Sequence, residues 1–106
     1  MRIAQRDILR FTTDPGHVSP PWPAGYWPPS TVPASERALH RSVESFLDDL
    51  HTLRTMVADP ATDLFSAIPH GEGQTVLREI LLVADHNAYH MGQLMLILTL
   101  STQDRS

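Results

Sequence analysis

Two histidines, His86 and His90, carry the strongest chemical signal in the sequence. They stand four residues apart in a segment whose pattern predicts a helix, so both imidazoles leave one face a single turn apart. That spacing lets two imidazoles bind one divalent cation. Zinc, nickel or iron suits imidazole ligands. Two ligands are few, since a structural zinc wants four and a catalytic zinc three plus water. Gln93 follows on the same side, and Glu79 lies about two turns earlier on that face. Asp85 and Asn87 are neighbours that can orient a ligand imidazole through its second nitrogen. The competing reading is a pair of hydrogen-bonded histidines in a partly buried bundle.

The remaining histidines are weaker candidates. His40 and His51 fall off the apolar stripe of their helix and are expected in solvent, as are His17 and His70 in connections. Asp48-Asp49 reads as a solvated helix face. Gly71-Glu72-Gly73 is too short for a phosphate loop. Ser and Asp form no triad pattern, so no catalytic residue is assigned.

Three helices are expected to position the pair, over residues 1–11, 35–58 and 75–100. In the first, Ile3, Ala4, Ile8 and Phe11 share a stripe, with Arg2, Gln5, Arg6 and Asp7 more outward. Nothing caps its start. Ser35 caps the second, whose Leu39, Val43, Phe46, Leu50, Leu53 and Val57 repeat at alternating spacings of four and three. Asp59-Pro60 ends it. Leu64, Phe65 and Ile68 of the next connection are expected to tuck inward. Thr75 caps the third helix, whose last turns are apolar nearly all round, as in a helix at the centre of a core or covered by another chain. Between the first two helices, Thr12–Pro33 holds most of the nine prolines and is neither helix nor central strand. It also carries Trp22, Tyr26 and Trp27. An ordered crossover whose aromatics pack on the helices is expected, with a ligand-binding loop as the alternative.

Bulk properties set the frame. The chain has 106 residues, 42% hydrophobic and 19% charged, which suits a single globular domain over 1–106, and the three expected helices make it all-α. The net charge is −4 and lysine is absent, which argues against a nucleic-acid partner. Cysteine is also absent, which removes disulfides, thiolate nucleophiles and thiolate zinc sites. The opening MRIAQRDILRF is not a signal peptide, and the apolar stretch Met91–Thr99 is too short to cross a membrane. A cytoplasmic protein is expected.

The run from Leu77 to Leu94, with its D-H-x-x-x-H-x-G-Q core at Asp85–Gln93, resembles the last-helix signature of the DinB-like (DNA-damage-inducible) superfamily. Tyr26-Trp27-Pro28 and the opening Arg2–Leu9 are similar to other segments of that family. The resemblance implies a four-helix up-down bundle, often dimeric, binding a divalent metal through three histidines. His86 and His90 match the two from the last helix. The family's third comes from its second helix, and here it would fall just before Met1, so the resemblance implies an N-terminally shortened domain lacking that ligand. Related members include thiol-dependent S-transferases and maleylpyruvate-isomerase-like enzymes. A metal-dependent hydrolase or thiol S-transferase with a small-molecule or thiol substrate is therefore one expectation, with Trp27 and its neighbours lining the pocket. A non-catalytic helical interaction module with structural histidines is the other. Three helices leave part of the apolar stripe on the last helix uncovered, so a homodimer or larger assembly is expected.

Overall fold

The computed structural model describes residues 1–30 and 32–103; Thr31 of the crossover lies outside them. Its elements are helix α1 (Arg2–Thr13), a short 3-10 turn (Ala24–Tyr26), helix α2 (Glu36–Ala58) and helix α3 (Val76–Gln103). The all-α expectation holds, with helix limits within about three residues of those read from the sequence. The caps explain why. Ser35 Oγ accepts from the Ala38 amide at 3.0 Å and starts α2. Thr75 Oγ1 accepts from the Arg78 amide at 3.1 Å and starts α3. Met1 supplies no side-chain cap to α1.

α1 and α2 run parallel. Arg2 bonds Ser42, Gln5 bonds the Phe46 carbonyl and Arg6 bonds Asp49, so both helices advance together. α3 runs antiparallel to them, with Asn87 beside Gln5 and Val83 beside Leu9. A parallel pair requires the chain to return along the helix, here by ~27 Å, which is the reason for the long crossover. The connection 59–75 folds back on α3 through Ile68 N–H to the Gln74 carbonyl at 2.8 Å and Val76 N–H to Ser66 at 3.2 Å.

α2 and α3 pack against α1 rather than against each other. α1 is therefore the central helix, and only its Arg6, Arg10 and Thr13 are exposed. This corrects the outward placement of Gln5, which is 1% exposed. Its amide ties all three helices together. Gln5 Nε2 donates to the Phe46 carbonyl at 2.8 Å, and Gln5 Oε1 accepts from Asn87 Nδ2 at 3.0 Å. Truncation by Gln5→Ala takes the partner from Asn87 Nδ2 and cuts the side-chain tie to α2, while the Phe46 carbonyl keeps its own helical bond. Urea unfolding of that variant should show a loss of about 1–3 kcal/mol. Asp49 is likewise buried rather than solvated, because Arg6 Nε reaches its Oδ2 at 3.0 Å.

The fully buried apolar core is small. Leu9, Leu53 and Val83 meet at the centre, with Ile8, Met56 and Ile80 against them, and Ile68 is buried under the connection. Phe65 does not tuck inward and is 79% exposed. Leu39, Val43 and Val57 of the α2 stripe are also exposed, as is α3 from Met91 onward. No helix among the described residues is long and apolar enough to cross a membrane.

Candidate functional site

His86 and His90 face one space. Their ring centroids are 4.5 Å apart at 65° between planes, and both are half-buried. Two imidazoles at i, i+4 on α3 leave the same face, and both line one pocket. The pocket has a volume of about 310 Å³, with Met1 and the first turn of α1 forming one wall. Trp22, Tyr26, Trp27 and Pro28 of the crossover form another. Tyr89 stands edge-on to His90 at 5.5 Å.

The crossover is held over the histidines by one carboxylate. Asp7 Oδ2 accepts from the Tyr26 hydroxyl at 2.7 Å, and Asp7 Oδ1 accepts from His17 Nε2 at 2.7 Å. Tyr26 then stacks edge-on with Trp22 at 5.4 Å. Gly25 allows the tight approach, since a Cβ there would lie 2.6 Å from Pro20 Cβ. Trp22 and Trp27 remain 81% and 69% exposed, so the expectation that they pack on the helices is corrected. They wall the pocket instead. His17 and His70 are also not in open solvent. His17 is paired with Asp7, while His70 Nε2 bonds the Phe11 carbonyl and its ring stands edge-on to Phe11 at 5.4 Å. His40 and His51 are exposed, as expected.

Burial pushes the Asp7 carboxyl up, but hydrogen bonds from His17, Tyr26 and Ser19 outweigh it and hold its pKa below the ordinary carboxylate value. A carboxyl lowered on folding adds stability above its unfolded value, and that stability is lost as pH falls through the folded value. Asp7→Asn removes this contribution at neutral pH and frees the crossover. Chymotrypsin should then cut the Tyr26–Trp27 bond about tenfold faster, equivalent to ~1.4 kcal/mol of easier local opening.

The His86 imidazole has its pKa pushed below the ordinary histidine value. Burial is the main cause, followed by positive charge on His90 and on the Met1 amino group, while Asp85 opposes them. The lowering favours the neutral imidazole, the form that binds a metal.

The other sequence candidates are dispersed. Asp85 is exposed and acts on His86 only through its charge. Asn87 faces away from the pair and bonds Gln5. Glu79 is 4% exposed and pairs with Arg78 Nη1 at 2.8 Å. Gln93 Nε2 donates to the Tyr89 hydroxyl at 3.3 Å. Among the described residues no group of three or more His, Cys, Asp or Glu side chains is arranged to hold a metal. The donor set is thus two imidazoles beside an open pocket. Asp7 and Arg2, which anchor and flank that pocket, carried no distinguishing sequence signal.

Neither a protein-family model, nor a curated protein, nor a solved structure matches the chain.

Proposed function

We propose that this chain is a DinB-like, cytoplasmic divalent-metal-binding protein that holds zinc, nickel or iron through His86 and His90 and acts on a small-molecule or thiol substrate as a homodimer. The observation that carries the reading is the pair of imidazoles turned into one aromatic-walled pocket. A divalent ion there supplies electrophilic help to a bound water or thiol, the chemistry of a hydrolase or thiol S-transferase. The chain's own groups supply the rest. Trp22 and Trp27 offer flat apolar faces to a substrate, and Arg2, with Nε on Ser42 Oγ at 3.0 Å, brings a cation to the wall.

A second reading has its own support, because the described residues offer no third ligand. In it the histidines are structural and the protein is a non-catalytic interaction module. Metal analysis separates the two. Purified protein equilibrated with Zn²⁺ should retain about one ion per pair of histidines, and His86→Ala or His90→Ala should each abolish it. Protein that retains no metal, or whose metal survives both substitutions, supports the interaction module.

A further inference from the structure

A concavity larger than the histidine pocket lies elsewhere on the molecule. It is a groove of about 630 Å³ between α2 and α3, floored by Leu50 and Leu53, with Val57, Ile80 and Val83 along its sides. It exists because α1 holds α2 and α3 apart. The same chain carries an exposed apolar stretch of helix. From Met91 to Leu100 every α3 residue is exposed, and Leu94, Met95, Leu96, Ile97, Leu98 and Leu100 are each 51–61% exposed.

The surface area says how much covering is missing. The accessible surface is 8050 Å² for 11.9 kDa. A compact chain of that mass exposes about 6000 Å². The radius of gyration is 16.1 Å, against roughly 13 Å for a compact domain of this length. Covering half of the ~2000 Å² excess on each of two copies buries about 2000 Å² in total, the size of a permanent homodimer interface.

The lengths and register match. Gly92–Gln103 makes a helical rod of ~18 Å, and the α2 wall from Phe46 to Ala58 is also ~18 Å long. Ile80, Ala84, Asn87 and Met91 of the groove continue along the same α3 face as Met95 and Leu98. Two α3 helices laid antiparallel along that face, crossing at Met91, place each rod in the other copy's groove. Gly92 stands at the crossing, with nothing within 4 Å of where a Cβ would lie. In this register the end of one α3 arrives opposite Ile80 of the other. That level is also the level of Leu53 and Arg54, because Asn87 and Phe46 both bond Gln5 seven residues away along their helices. Arg54 lines the groove there.

We propose that the α2–α3 groove of one copy receives the exposed C-terminal half of α3 from a second copy, reciprocally, about a two-fold axis at Met91–Gly92. This isologous pairing is independent of any metal at the histidines. The absence of cysteine makes single-cysteine variants clean reporters. Light scattering at tens of micromolar should give twice 11.9 kDa for the wild type. Leu98→Asp on the rod and Val57→Asp in the groove should each give the monomer mass, with α-helical circular dichroism retained. Leu82→Asp, on the opposite face of α3, should stay dimeric. Under mild oxidation Met91→Cys should link to itself, and Leu98→Cys should link to Ala84→Cys but not to itself. The Met91→Cys result stands even where an aspartate variant fails to fold. A wild-type monomer overturns the proposal, as does a dimer that survives both aspartates. Self-linkage of Leu98→Cys in preference to Met91→Cys also overturns it.

Discussion

Leu53→Ala is expected to lower the unfolding free energy by about 2–5 kcal/mol, the range for truncating a buried leucine where the site collapses incompletely. Leu53 is 3% exposed and meets Leu9 and Val83, one from each of the other helices. α2 and α3 share little contact of their own, so this junction is where all three helices cohere. A domain of this size has a net stability toward the low end of the usual 5–15 kcal/mol. The loss therefore consumes much of the total, and thermal unfolding followed by circular dichroism should show a transition far below that of the wild type. Phe65→Ala is the contrast. That ring is 79% exposed, and its removal should change stability by no more than about 0.5 kcal/mol. Equal effects from the two would mean that the core is elsewhere.

The second large effect concerns the pocket. Trp22 and Trp27 wall the same space as His86 and His90, so their emission reports on an ion held there. Ni²⁺ should quench tryptophan fluorescence saturably in the wild type. His86→Ala or His90→Ala should raise the midpoint by about 100-fold, the equivalent of ~2.7 kcal/mol. Trp27→Phe should shrink the signal and leave the midpoint in place. Quenching that is linear in Ni²⁺, or unchanged by the histidine substitutions, would show the ion acting from solution.

The parts legible in the sequence were those set by local chemistry. Ser35 and Thr75 each cap the helix they precede, and Asp59-Pro60 stops α2, because these effects act within one turn. The facing of His86 and His90 follows from helical period alone. What was hidden depends on which helix lies in the middle. Gln5 reads as a surface residue by its polarity, yet α1 is sandwiched and its amide bridges α2 and α3. Asp49 and His17 look solvated until Arg6 and Asp7 are brought against them from some forty and ten residues away. Asn87 follows His86 directly, but one residue on a helix is a turn of about 100°, which carries it out of the pocket and into the groove. The tryptophans read as core by type and lie outside it, at the rim of the pocket.

The most direct test of the site is a Zn²⁺ titration followed by the imidazole nitrogen resonances of all six histidines. The signals of His86 and His90 should move together with one midpoint, while those of His17, His40, His51 and His70 stay in place. Movement of only one of the pair, separate midpoints for the two, or no movement at all would contradict a shared ion between these rings.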